Sequence, residues 1–238
     1  MEFIKIIKKS HFLDPFQSYA PVEKLSEVRV DPLTGSTSRI LDFPVKQLEK
    51  TDLSPVAEST RQFCPFCPSI VEQITPKFDP SLVPEERYRR GEAICFPNAF
   101  PYDENGAVTV ISSEHYIPID GFTLPLIRDA LECCARYLAD LLPGQPEVVY
   151  QSINWNFLPL AGSSLVHPHL QVMASTTATN YYATITRALK RYTETHGTGF
   201  WEDLISEEEK LRERYIGNTG RISWITAFAP MGAFDVLG

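Results

Sequence analysis

Nineteen prolines spread along 238 residues set the first limit on this chain. Proline fixes φ, lacks an N–H and breaks helix interiors, so long uninterrupted helices are excluded and short strands joined by fixed turns are favoured. The share, about 8% against an average of roughly 5%, exceeds that of glycine, of which there are 12. With 43% hydrophobic residues the chain has apolar material for one large core or two small ones.

Two helices are nevertheless legible. In 124–142, Leu124, Ile127, Leu131, Cys134, Leu138 and Leu142 fall three or four apart as one apolar stripe, with Thr123 as N-cap and Pro143-Gly144 as the stop. A second helix is expected over Tyr181–His196, closed by Gly197. Around them lie strand signals. Asp31-Pro32-Leu33-Thr34-Gly35 reads as a turn between two strands, followed by an irregular approach to Cys64. The runs AICF and AVTVIS flank Asp103-Glu104-Asn105-Gly106, a hairpin signal. VVYQSINWNF, a small-residue turn around Gly162 and LVHPHLQVMAS complete the set. Strands and helices in this order, with tight hairpins, point to an α+β fold with an antiparallel sheet. A weak internal echo links CPFCPSIVEQ and AICFPNAFP with GFWEDLISEEEK and RISWITAFAP.

Lys plus Arg is 22 and Asp plus Glu is 30, a net charge of −8. So acidic a chain lacks the basic field of sequence-independent nucleic-acid binding, and no nucleic-acid partner is expected. No stretch approaches the roughly 20 apolar residues of a membrane span, and MEFIKIIKKS is too charged for a secretory signal. Five cysteines, two of them adjacent, argue against a disulfide framework; a cytoplasmic protein with reduced thiols is the expectation.

The chemistry-bearing residues concentrate in two places. In His167-Pro168-His169-Leu170-Gln171, strand alternation puts both imidazoles and the amide on one face and Leu170 on the other. Pro168 removes a ladder N–H, so this strand is expected at an edge or interrupted. A polar solvent face with two incidental histidines is the plainer alternative. Cys64-Pro65-Phe66-Cys67 offers two thiolates to one tetrahedral metal ion, with His115 and His167 as candidates for the missing pair. A redox pair or two buried thiols fit the same pattern.

Together, CPFC, the S-x-E-H-Y segment, AGSSLVHPHLQ and the entry motif RVDPLTG resemble galactose-1-phosphate uridylyltransferase, a branch of the histidine-triad superfamily. The similarity runs from about Arg29 to Gln171 and more faintly beyond. It implies two histidine-triad-like halves, each an antiparallel sheet with packed helices. One complete half would occupy 1–196, and 197–238 would be the opening of a second, shorter by roughly 100 residues. In the family that second half supplies hexose contacts and part of a dimer interface, which leaves a homodimer open. The resemblance further implies ping-pong nucleotidyl transfer between a nucleoside diphosphate sugar and a sugar 1-phosphate, through a covalent nucleotidyl-histidine.

Carried over, His169 matches the nucleophile, and Cys64, Cys67, His115 and His167 the zinc ligands. Gln171 and Ser164 match the phosphate-contacting amide and hydroxyl, and Asn156, Gly162 and Asn98 the nucleotide-side contacts. Arg29 and Arg39 flank the turn where the family has basic residues. One departure is Leu170, where the family has glycine; it resembles the H-x-H-L-Q of dinucleoside tetraphosphate phosphorylases, and ADP-glucose phosphorylases are also related. A phosphorylase or hydrolase of the same fold, and a zinc-stabilised nucleotide-binding protein without turnover, are the alternatives. The nucleophile also follows from elimination among five histidines: His11 lies in the N-terminal approach, His196 ends a helix, and His115 and His167 best complete the cysteine pair.

Overall fold

The structure, a computed structural model, describes residues 1–41 and 52–238. In chain order it contains β1 (Lys5–Asp14), β2 (Ala20–Val30), β3 (Thr37–Leu41), α1 (Ser54–Thr60), α2 (Val71–Ile74), β4 (Tyr88–Arg90), β5 (Ala93–Pro97) and β6 (Asn105–Val110). There follow α3 (Leu124–Leu141), β7 (Tyr150–Asn154), β8 (His169–Ser175), α4 (Asn180–His196), α5 (Phe200–Leu211), β9 (Tyr215–Thr219), β10 (Ile222–Thr226) and β11 (Val236–Leu237). All strand pairs are antiparallel, so the α+β expectation holds. The chain divides into two compact units, one of Met1–Leu48 with Thr179–Gly238 and one of Glu49–Ala178. These boundaries differ from the 196/197 division read from the sequence.

The second unit carries a five-stranded sheet of order β4-β5-β6-β8-β7. One face packs on α3, burying Cys95, Ala107, Ile111, Leu170, Val172 and Ala174 against Ala130, Cys133, Cys134, Tyr137 and Leu141. The buried stripe of α3 is rotated from the one expected. At about 100° per residue, Leu124 and Leu131 fall about 100–120° round from Ala130, and both are exposed, while small Ala130 and Cys133 let the helix approach the sheet. The opposite face buries Ile94, Phe96, Val108 and Val110 with Val71 and Phe66.

One local expectation changes and one is narrowed. Asn105-Gly106 opens β6 instead of forming the hairpin turn. Gly106 is needed for close approach: a Cβ there would lie 3.2 Å from the Pro101 side chain. The strand β8 lies between β6 and β7, not at an edge; of the two outcomes expected from Pro168, the interrupted strand is the one found. It begins at His169, so the missing N–H of Pro168 falls outside the ladder, while its carbonyl accepts from Ile111 N at 3.0 Å.

In the first unit, Asp31 Oδ1 accepts from Leu33 N, Thr34 N and Thr34 Oγ1, which builds the turn between β2 and β3. Gly197, at φ 74, closes α4. The C-terminal segment is no loose tail. Strands β9, β10 and β11 form their own sheet, and Ile225 is buried with Leu33, Ala188, Phe200 and Leu204. The RISWITAFAP run of the echo contains β10; its partner β9 was not read from the sequence.

The echo has structural counterparts. Both β4–β5 and β9–β10 turn through two residues led by a left-handed glycine, Gly91 at φ 52 and Gly220 at φ 61. Pro97 pairs with Ala107, and Thr226 pairs with Val236 across a loop of the same length. Asn98 N donates to Gly106 O at 2.9 Å, and Ala227 N to Asp235 O at 3.0 Å, matching positions in the two loops.

Candidate functional site

Four side chains from three separate segments converge behind the sheet of the second unit. Cys64 and Cys67 sit in a tight turn, where Cys67 N donates to Cys64 O and Val71 N to Cys67 O at 3.0 Å. His115 lies in the loop after β6, and His167 just precedes β8. The ligand atoms of Cys64, Cys67, His115 and His167 all lie within 4.8 Å of one another. Cys64 Sγ is 3.5 Å from His167 Nδ1, Cys67 Sγ 3.4 Å from His115 Nδ1, and Cys67 Sγ 3.8 Å from His167 Nδ1.

Each imidazole is oriented by a backbone carbonyl, which only accepts hydrogen bonds. His167 Nε2 donates to the Ser112 carbonyl at 2.8 Å, and His115 Nε2 reaches the Ala57 carbonyl at 2.9 Å, with Thr60 Oγ1 at the same distance. Each Nε2 therefore carries the proton, and each Nδ1 presents a bare lone pair to the thiols. Burial lowers the His167 pKa to about 4, and burial pushes the Cys64 thiol up to about 11. Two neutral imidazoles and two thiols on one point are a donor set able to hold a metal ion.

His169, the first residue of β8, is 5% exposed. Its Nδ1 donates to the His167 carbonyl at 2.8 Å, so the strand's own backbone fixes the tautomer and Nε2 is the unprotonated nitrogen. Burial lowers its pKa, against a smaller opposing effect of that hydrogen bond. Among the described residues no protein group engages Nε2. Phe66, between the two cysteines, meets the rings of His169 and His167 edge-on, with centroids 5.1 and 6.2 Å away. Phe66 was missed in the sequence reading, which gave weight only to the cysteines on either side.

Gln171 lies two residues along β8 from His169, opposite Val108 and Asn154, and is half-buried. Leu170 is buried in the α3 core, on the other side of the strand. The departure from glycine there belongs to packing.

The small-residue turn is a built loop. Ala161 N and Ser163 N donate to Leu158 O, and Ser163 Oγ donates to Leu165 O at 2.7 Å. Ser164, the expected phosphate contact, is exposed. Gly162 has φ 92, and a Cβ on it would lie 3.7 Å from Asn156 Nδ2, so these two expected residues are neighbours. Leu158 holds φ 68 without being glycine, a strained conformation that nothing in the sequence signals. Asn98 is engaged locally, its Oδ1 accepting from Phe100 N at 3.0 Å.

Arg29 and Arg39 belong to the first unit. Arg29 pairs with Glu27 at 2.9 Å and donates to Phe228 O, and Arg39 donates to Thr37 Oγ1. A cleft of about 1040 Å³ lies within that unit, walled by the Asp31–Thr34 turn, Arg39, Tyr181, Trp201 and the 225–235 segment; the histidine strand is not among its walls. His11 is exposed beside Glu23, and His196 stacks on Tyr192 at the end of α4. No helix among the described residues is long and apolar enough to cross a membrane.

No family model matches the chain. An uncharacterized protein of Archaeoglobus fulgidus is 38% identical over 216 residues, 91% of this chain and 64% of that protein. An ADP-glucose phosphorylase from Arabidopsis thaliana, solved with bound ADP-glucose, superposes with a TM-score of 0.60 at 18% identity, over 86% of this chain and 64% of that one. A GalT-like protein from Arabidopsis thaliana gives 0.58 at 19% identity, over 85% and 63%. A uridylyltransferase gives 0.53 at 19%, over 83% and 60%. The chain thus shares the fold of the family its motifs resemble, and spans less than two thirds of the length of these relatives.

Proposed function

We propose that the chain is a nucleotidyltransferase acting on a nucleoside diphosphate sugar through a covalent nucleotidyl-histidine at His169. The observation that carries this is the hydrogen bond from His169 Nδ1 to the His167 carbonyl, which leaves Nε2 bare and neutral. Nε2 attacks the α-phosphorus, a P–N bond forms, and the P–O bond to the departing sugar 1-phosphate breaks. An acceptor phosphate oxygen then attacks the same phosphorus and releases the histidine. Gln171 and the Ser164 hydroxyl would offset charge on the phosphoryl oxygens, and Asn156 and Gly162 would bound the nucleotide side.

Zinc is the ion that the cysteine–histidine cluster fits. With bonds of about 2.3 Å to sulfur and about 2.0–2.1 Å to nitrogen, a tetrahedral site has sulfur–nitrogen edges of about 3.5 Å. The 3.4, 3.5 and 3.8 Å separations match these edges. With all four positions filled by protein, zinc would act as a structural brace holding the cysteine turn against the sheet, and through His167 the carbonyl that orients His169.

The likeness to the ADP-glucose phosphorylase supports a second reading, transfer to inorganic phosphate. Intact-mass measurement after incubation with UDP-glucose or ADP-glucose tests both. An adduct absent from His169→Asn is expected, and its release by galactose 1-phosphate or by inorganic phosphate separates transferase from phosphorylase. Undiminished adduct in His169→Asn refutes the nucleophile. Nucleotide binding with no adduct favours a protein without turnover.

A further inference from the structure

The β4–β5 turn reaches the metal-ligand cluster from outside it. Gly91 holds a left-handed φ of 52 and lies against the Asp129 carboxylate of α3. The next residue, Glu92, points its Oε2 at the segment after β6 and accepts three hydrogen bonds there. The donors are Ser112 Oγ at 2.8 Å, Ser113 N at 2.9 Å and Ser113 Oγ at 2.7 Å. The Ser112 hydroxyl also accepts from Glu114 N at 3.1 Å. Residues 112–114 lie beyond the β6–β8 ladder, whose last register pair is Val110 with His169. One carboxylate oxygen therefore does for this segment what the sheet does for its neighbours.

Two ligands depend on that segment. Its Ser112 carbonyl takes the His167 Nε2 proton at 2.8 Å, and His115 follows directly after Glu114. Ser112 is 1% exposed, so water cannot readily replace the carboxylate at its hydroxyl. Groups behind the ligands in this way set ring orientation and imidazole basicity.

We propose that Glu92 is a positioning residue of the Cys64–Cys67–His115–His167 centre. Through Ser112 and Ser113 it holds the carbonyl that aims His167 and the backbone that delivers His115. This rests on the metal reading of that cluster. Glu104 is a matched control: it accepts from Thr176 N at 2.8 Å, Thr176 Oγ1 at 2.7 Å and Ser175 Oγ at 3.1 Å, at the far end of β8, and its hydrogen bonds reach no ligand.

The test loads wild type, Glu92→Ala, Glu92→Gln and Glu104→Ala with zinc or cobalt(II). Zinc affinity is measured by competition with a chromogenic chelator, and ligand geometry by the cobalt d–d absorption. Glu92→Ala should bind zinc about tenfold more weakly and shift the d–d bands, keeping thiolate-to-cobalt charge transfer. Glu92→Gln, which retains one carbonyl acceptor, should lie between it and wild type, and it carries the test if the alanine variant fails to fold. Glu104→Ala should match wild type in both readouts. Zinc affinity within twofold of wild type and an unshifted spectrum in both Glu92 variants, or equal shifts in Glu104→Ala, would overturn the inference. Wild type that takes up neither metal would instead overturn the metal reading, and this inference with it.

Discussion

Removing Arg214 should destabilise the first unit far more than a surface ion pair would. The Glu208 side chain, in the last turns of α5, is fully buried, and that of Arg214 is 8% exposed; Arg214 Nε meets Glu208 Oε1 at 2.7 Å. The guanidinium lies over Phe3 and Phe228, 4.6 and 5.0 Å from their centroids. Its Nη2 and the carboxylate's Oε2 have no partner among the described residues, so the pair has lost hydration that these residues do not fully replace. Arg214→Ala strands a buried carboxylate, at a cost of about 3–5 kcal/mol. For a chain of this size that lowers Tm by about 6–20 °C. The double variant Glu208→Leu, Arg214→Met removes both charges and should recover most of the loss, since apolar replacements of buried pairs are often neutral or better. Urea unfolding followed by tryptophan fluorescence is suited to the assay, because Trp201 and Trp224 lie in this unit and Trp155 in the other. A loss under 1 kcal/mol in Arg214→Ala, or a double variant as unstable as the single one, would refute the reasoning.

Other outcomes follow from the same structure. Leu170→Ala should cost about 3 kcal/mol by denaturant titration, as a buried leucine on a central strand leaves a cavity; adduct formation at His169 should persist, and selective loss of adduct at unchanged stability would count against a packing role. Chelation of zinc, or Cys64→Ala, should lower the melting temperature measured by calorimetry, since metal that binds only the folded centre stabilises it. Acid should weaken the fold through Glu92, Glu104 and Asp203. Each is held below the usual carboxylate range, chiefly by the Ser113 hydroxyl, the Thr176 N–H and the Thr198 hydroxyl respectively. Their contribution is present above about pH 4.5 and is lost as pH falls through the lower folded values. Replacing all three by Gln should flatten that limb in unfolding curves at pH 6 and pH 3.

What the sequence discloses depends on how many constraints each segment obeys. The Asp31–Gly35 turn, the α4 stop at Gly197 and the cysteine loop are legible because one residue type answers one local demand. The β1–β2 hairpin is not. Nearly all of β1 faces solvent, so no apolar alternation marks it. Gly217, at φ 149, hides β9 in the same way. The stripe on α3 is legible but misaligned, because buried Ala130 and Cys133 weigh less in a hydrophobic pattern than exposed Leu124 and Leu131. In the candidate site, the four ligand-type residues and His169 stand out by type and spacing. Phe66, the Ser112 carbonyl and Glu92 do not, since each acts through a contact between segments far apart in sequence.

The two three-stranded runs show the same effect from the other side. β4–β5–β6 and β9–β10–β11 share glycine-led two-residue turns, equal loop lengths and the same loop-closing hydrogen bond. Yet their side chains at the shared positions diverge. Glu92, which reaches the ligand-bearing segment, corresponds to Arg221, a cation that cannot accept from serine hydroxyls. The segment before β4 carries the cysteine turn, whereas the segment before β9 carries α5, where Leu204 and Glu208 occupy the buried face. The two runs share backbone geometry where hydrogen bonds require it and differ in the side chains they carry, so sequence alone shows only a faint echo. In one run the turn aims a carboxylate at Ser112 and Ser113; in the other, the elements around the turn close a core around Ile225 and the Glu208–Arg214 pair.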